Sequence, residues 1–187
     1  MKYDIILAGV GGQGVLSVAA GIATGAMLQG LQVRQSEVHG MAQRGGAVMS
    51  HLRISDTEIP GDLVGEGSAD MILSMEPLEA LRYLAYLKPD GKLVTASDPF
   101  INIPNYPDEE LIKSKVDATG AGVVVDAKAI AKESGNLRAA NMAMVGAAST
   151  FLPVEQKNIE KAIENMFASK GDTIIEQNIK AFRAGRG

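Results

Sequence analysis

The chain has 187 residues, 46% of them hydrophobic and 21% charged, which suits one globular domain with a core of its own and excludes a fibre or a disordered tail. Eighteen Lys and Arg against 22 Asp and Glu leave a net charge of −4 with no long basic run, so the footprint of a nucleic-acid or anionic-membrane binder is missing. With no cysteine and only His39 and His51, the chain cannot build a disulfide, a thiolate zinc site, a cysteine nucleophile or a Cys-ligated iron–sulfur cluster, and has little with which to build a histidine triad.

The N-terminus runs directly into an apolar segment, Tyr3 to Ala8, and reads as a buried parallel strand rather than a secretion signal. No stretch approaches the roughly 18 apolar residues of a spanning helix, so a cytoplasmic location is expected. After a glycine-rich turn, Val15, Val18, Ile22 and Met27 give a helical period that Gly30 ends. Leu31 to Gln35 predicts a second strand, and Ser36 to Gly46, polar and without a period, predicts a loop. Val48 to Ile54 alternates apolar and polar residues and need not run parallel to the first strand; His51 on its polar side is expected at a surface or an interface.

Ala69 to Ser74 predicts another buried strand, Glu76-Pro77 the start of a helix reaching Leu87, and Lys88-Pro89-Asp90-Gly91 a turn. Lys92 to Ala96 and Gly122 to Val125 are further β-branched runs. Ile101 to Pro107 is a proline-containing surface loop, and Asp126 caps a short helix ending near Gly135. Beyond residue 136 the pattern is helical only. Leu137 to Ser149 is rich in Ala and Met, with Met142 and Met144 suited to a core or to an adaptable subunit interface. Glu155 to Ser169 puts Ile159, Ile163, Met166 and Phe167 on one face, and Thr173 to Glu176 has capping-box spacing before a last helix with a frayed end. The expectation is a three-layer α/β/α domain over 1–187. It has a mostly parallel sheet, a Rossmann-like first βα unit, a βα-alternating core over 1–135 and a helical part over 136–187.

Gly9-Val10-Gly11-Gly12-Gln13-Gly14 matches G-x-G-x-x-G between a strand and a helix, where glycines let the backbone approach a phosphate beside free helix N–H groups. The same glycines also suit a tight turn with no ligand. A dinucleotide site wants an acid about 20 residues further on, for which Glu37 comes slightly late. Residues 36–46 concentrate Glu37, His39, Gln43, Arg44, Gly45 and Gly46: Arg44 suits a carboxylate or phosphate, His39 an anion, and Gly45-Gly46 a turn. If the strands run parallel, this loop neighbours the glycine turn. Glu76 at a strand end and Asn141 in the Ala/Met helix serve either caps and packing or a ligand. A free-standing NAD(P)- or FAD-binding protein and a small CoA-binding module are the alternative readings of these residues.

In Gly9 to Gly14, in Glu37-Val38-His39-Gly40-Met41-Ala42-Gln43-Arg44-Gly45-Gly46, in Met75 to Tyr83, and in Asn141 with Gly146, the chain resembles the gamma-type subunits of the 2-oxoacid:ferredoxin oxidoreductases, nearest to their indolepyruvate branch. The resemblance covers nearly the whole chain. It implies a complex that oxidatively decarboxylates a 2-oxoacid with coenzyme A, yielding acyl-CoA and CO₂ and reducing ferredoxin, in anaerobic metabolism. Thiamine diphosphate and [4Fe–4S] clusters would belong to a larger partner subunit, and this chain would be inactive alone. The family's association of this domain with the CoA side makes Gly9, Gly11, Gly12, Gln13, Gly14, Glu37, His39, Gln43, Arg44, Gly45 and Gly46 the candidate contacts with CoA or the shared site. It assigns no acid, base or nucleophile here.

Overall fold

The structure, a computed structural model, describes residues 1–39, 45–101 and 103–187. Its centre is a six-stranded sheet of β1 (Lys2–Val10), β2 (Gln32–His39), β3 (Ala47–Ser55), β4 (Ala69–Ser74), β5 (Leu87–Ala96) and β6 (Gly122–Val125) in the order β2-β3-β1-β4-β5-β6. β1, β4, β5 and β6 are parallel, whereas β3 is antiparallel to both β1 and β2. The pleat of β1 sorts the core. Ile5 and Leu7 face α1 (Val15–Leu28), α5 (Ala140–Ser149), α6 (Gln156–Phe167) and α7 (Asp172–Arg186), while Ile6 faces the layer of α2 (Pro77–Arg82) and α3 (Glu109–Ala118). Three layers result, with α4 (Ala127–Glu133) on the α1 side. Met142 and Met144 are fully buried there and fill the core.

The first βα unit forms where its apolar run and glycines predict it. α1 ends in a Schellman motif: Gly30 turns left-handed and donates to the Met27 carbonyl at 3.0 Å, and Leu31 donates to the Ala26 carbonyl at 3.1 Å. Asp126 caps α4 through the Ala129 N–H at 2.9 Å. The close crossing of α5 and α7 needs two glycines, since a Cβ on Gly146 would lie 2.0 Å from the Phe182 carbonyl oxygen and one on Gly185 would lie 2.1 Å from that of Ala143.

Several boundaries differ from the sequence expectation, some because of a distant partner and some because of a local cap. Ser36 to His39 are strand rather than loop: their backbone pairs with residues 48–51 of β3, which polar composition cannot reveal. The helix opened by Pro77 stops at Arg82, a 3-10 turn follows at Leu84–Tyr86, and residues 88–91 form an excursion within β5, whose pairing jumps from Ala69↔Leu87 to Met71↔Lys92. α3 has no strong period of its own and packs Ile112 and Val116 inward behind the Asp108 cap. The capping box at Thr173 does not form, because Gly171 is the N-cap of α7. That helix is not frayed either: Arg183 holds Glu160 with two bonds at 2.8 Å, and Arg186 donates to Ser149 Oγ at 2.7 Å.

Candidate functional site

In an open α/β sheet, ligands bind outside the carboxyl ends of the parallel strands. At that edge β1 delivers the glycine turn, β4 delivers Met75 and Glu76, β5 delivers Ser97 to Phe100, and β6 delivers Asp126 to Lys128. Each glycine of the turn has its own reason. A Cβ on Gly9 would meet Val15 Cγ2 at 2.9 Å and Met75 Cβ at 3.2 Å, so Gly9 allows α1 and β4 to close on β1. Gly12 and Gly14 have φ of +103° and +79°, a region that side chains disfavour. Gly11 donates to the Gly46 carbonyl at 2.8 Å and accepts from the Gly45 N–H at 3.2 Å.

That last pair brings residues 45–46 onto the turn as expected, although by a different route. The expectation rested on parallel order; in fact β3 runs antiparallel beside β1, so its first residues lie opposite the last residues of β1, with Val10 facing Ala47. Gln13 is consumed internally. Its Oε1 accepts the Val10 N–H at 2.7 Å and its Nε2 donates to the Met75 carbonyl at 3.2 Å, pinning the turn to the end of β4. Gly14 is the N-cap of α1 and offers no side-chain cap; its carbonyl takes the Ser17 N–H at 2.9 Å, which leaves the amides ahead of Ser17 to another acceptor. Asn141, at the start of α5, sits against Gly14 and donates to its carbonyl at 3.4 Å.

Glu37 lies on β2, exposed, where it accepts from Gln35 Nε2 at 3.0 Å. β3 separates β2 from β1, so the acid stands two strand spacings, about 10 Å, from the glycine turn. A ribose-binding acid belongs on the strand next to the turn, and this order argues against the dinucleotide reading. His39 closes β2 opposite Val48, and Gln43 and Arg44 lie outside the described residues.

His51 is not at a surface. Only 3% exposed, it accepts the Val64 N–H on Nδ1 at 3.1 Å and meets the Tyr86 ring edge-on at 5.9 Å; burial, with Arg53 nearby, lowers its pKa from 6.5. It sits on the side of β3 away from the α1 layer, and its function is structural.

Glu76 does more than start a helix. Its carboxyl group is 1% exposed; Oε2 accepts the Glu79 N–H at 2.8 Å, and Oε1 accepts both the Phe100 N–H at 3.3 Å and the Tyr106 hydroxyl. Burial and this bond raise the Tyr106 pKa far above its usual value, so the hydroxyl stays a donor. No sequence pattern singles out Asp98, Phe100 or Lys128: the first two stand in the proline-containing segment between β5 and α3, and Lys128 is in the first turn of α4. With Gln13, Met75 and Asn141 they line a cleft of about 220 Å³, and Lys128 Nζ pairs with Asp98 Oδ1 at 3.1 Å. A second hollow of about 370 Å³ lies over Gly11, Gly12, Gly14 and Leu16. Among the described residues, no three His, Asp or Glu side chains gather to hold a metal, and no helix is long and apolar enough to cross a membrane.

The model of the pyruvate ferredoxin/flavodoxin oxidoreductase family matches residues 4–187. The indolepyruvate oxidoreductase subunit IorB of Pyrococcus horikoshii is 37% identical over 194 aligned residues, covering 98% of this chain and 94% of that protein. Among solved structures, a pyruvate oxidoreductase subunit from Thermotoga maritima superposes with a TM-score of 0.76 at 26% identity, over 99% of this chain and 95% of that one. The 2-oxoglutarate:ferredoxin oxidoreductase of Magnetococcus marinus, solved with 2-oxoglutarate, coenzyme A and succinyl-CoA bound, shares the fold with a TM-score of 0.77 at 21% identity. This chain spans 30% of that longer polypeptide. A match along the whole chain, joined to the glycine turn and the strand-end cleft, identifies this protein as a member of the pyruvate ferredoxin/flavodoxin oxidoreductase family and a subunit of a 2-oxoacid:ferredoxin oxidoreductase.

Proposed function

We propose that this chain is the small, cluster-free subunit of a cytoplasmic indolepyruvate:ferredoxin oxidoreductase, which converts an aryl pyruvate and CoA to acyl-CoA and CO₂ and passes the electrons to ferredoxin. The observation that carries the reading is the end-to-end correspondence with a relative named as an indolepyruvate oxidoreductase subunit. Residues 1–187 act in this reading as one gamma-type domain, with 1–135 forming the sheet core and 136–187 its helical flank. A larger partner subunit holds the thiamine diphosphate and the [4Fe–4S] clusters, since the present chain has no thiolate with which to ligate a cluster. Thiamine bound there supplies the electron sink for decarboxylation.

The work of this chain is binding and orientation. Its glycine turn fits a phosphate-bearing group such as CoA: a side chain at Gly12 would project into open space, and that vacancy lies beside the uncapped start of α1. Gly9, Gly11, Gly12, Gln13 and Gly14 form that surface, with Gln13 acting from behind by fixing the turn. Gly45 and Gly46 bring a second loop onto the turn, and Gln43 and Arg44 precede them in sequence, with Arg44 pairing with an anionic group of CoA, whereas Glu37 and His39 belong to β2.

The test is anaerobic purification of the tagged chain from its own host, followed by CoA-dependent viologen reduction with indolepyruvate, phenylpyruvate, 2-ketoisovalerate and pyruvate. Co-elution of a larger iron–sulfur protein with highest activity on indolepyruvate is the expected result. A chain that elutes alone and inactive, under conditions that preserve a control complex, overturns the reading. In the active complex, Arg44→Ala raises the apparent KM for CoA by roughly tenfold or more, the loss of one charge-assisted bond; an unchanged KM removes Arg44 from the site.

A further inference from the structure

A helix N-cap needs one acceptor oxygen, and the residues that usually provide it are short: Ser, Thr, Asp or Asn. At the start of α2 the chain uses the longer Glu76, with its carboxyl group buried among bonding partners, at a desolvation cost that capping alone does not require. Its second oxygen explains the choice. Oε1 receives two donors from far along the chain, the Phe100 N–H and the Tyr106 hydroxyl. Ser74 braces the same residue from behind, its hydroxyl donating to the Glu76 carbonyl at 2.6 Å and accepting the Glu76 N–H at 3.2 Å. The carboxyl group therefore ties the end of β4 to the segment that leaves β5, and that segment supplies Asp98, Pro99 and Phe100 to the cleft.

The opposite wall of this cleft is fixed by the same kind of bond, Gln13 Nε2 to the carbonyl of Met75, the residue that precedes Glu76. Both walls thus refer to one strand end. Phe100 itself is 42% exposed and lies outside both buried hydrophobic clusters, so its position leans on backbone anchoring.

We propose that Glu76 is a positioning residue: through Phe100 and Tyr106 it sets the wall of the strand-end cleft facing Gln13 and Asn141, and thereby the affinity of the assembled enzyme for CoA. The proposal rests on the function reading above for its ligand, while the tie itself is a separate property of the chain. Glu76→Gln offers one acceptor oxygen where the native residue offers two, so it releases either the helix cap or the Phe100 segment. Tyr106→Phe removes only the hydroxyl and leaves both the cap and the ring.

In the complex purified from its host, the expected result for Tyr106→Phe and Glu76→Gln is an apparent KM for CoA raised about five- to tenfold, the worth of one or two hydrogen bonds. The KM for the oxoacid and kcat stay within about twofold. A fall in thermal stability of the Tyr106→Phe complex with no change in KM for CoA overturns the proposal in favour of a purely structural bond. Hydrogen exchange in the full chain reads the tie directly: in Glu76→Gln the Glu79 or the Phe100 amide, whichever loses its acceptor, should accelerate. Unchanged exchange overturns the tie, and it does so even if the native complex proves independent of CoA, an outcome that would instead refute the function reading.

Discussion

Replacing Gly14 by Ala probes the joint between the glycine turn and α5. Gly14 has φ +79° and ψ +32°, and a Cβ there would lie 2.2 Å from Asn141 Nδ2, well inside the 3.0 Å that real Cβ contacts respect. The left-handed conformation costs an Ala about 1–2 kcal/mol. Asn141 must also swing away and lose its bond to the Gly14 carbonyl, worth about 0.5–1 kcal/mol. The expected destabilisation is about 1.5–3 kcal/mol, a drop in Tm of about 3–12 °C for a chain of this size. A double-mutant cycle separates the two terms: Asn141→Ala removes the bond and the obstacle together, so adding it to Gly14→Ala costs nothing further. The expected coupling is about 1 kcal/mol, and the helix propensity gained by Ala at position 141 cancels around the cycle. Denaturant unfolding of the full chain for the four species reads it out. Additivity within about 0.3 kcal/mol would refute the direct contact.

Gly146→Ala forces a methyl group into the Phe182 carbonyl and should destabilise by about 2 kcal/mol or more despite better helix propensity, whereas Gly21→Ala, whose Cβ would meet nothing closer than 3.7 Å, should stabilise by about 0.5–1 kcal/mol; thermal melts of the two variants side by side check the contrast. His51 is held neutral, its pKa lowered from 6.5, so the unfolded chain takes up its proton first as pH falls. Its contribution is complete above pH 6.5 and is lost progressively below it, until the folded-state pKa is passed. His51→Asn keeps an acceptor for the Val64 N–H without a titrating group and should flatten the fall in unfolding free energy below pH 6.5; a slope equal to the native one would show that His51 does not titrate on unfolding.

What the sequence makes legible is what neighbouring residues decide. A strand of branched residues, glycines able to turn, a helical period and the Gly30 stop are all local, and the first βα unit appears where they put it. Asp126 before α4 is equally local. The burial of His51 is not legible because its partner is a backbone N–H in a loop without pattern, 13 residues away. The wider role of Glu76 was hidden because its donors stand 24 and 30 residues downstream, in a segment whose prolines signal only a loop.

The same distinction governs the reading of the glycine motif itself. G-x-G-x-x-G reports a turn that can approach a phosphate; it does not report which strand lies beside that turn. In a dinucleotide-binding sheet that neighbour carries the ribose acid. Here β3 is inserted between β1 and β2, which moves Glu37 outward and brings Gly45 and Gly46 onto Gly11 instead. One antiparallel strand therefore replaces a ribose contact with a second loop over the turn. An acid placed as in the dinucleotide pattern is thus not available to a ligand at this crest.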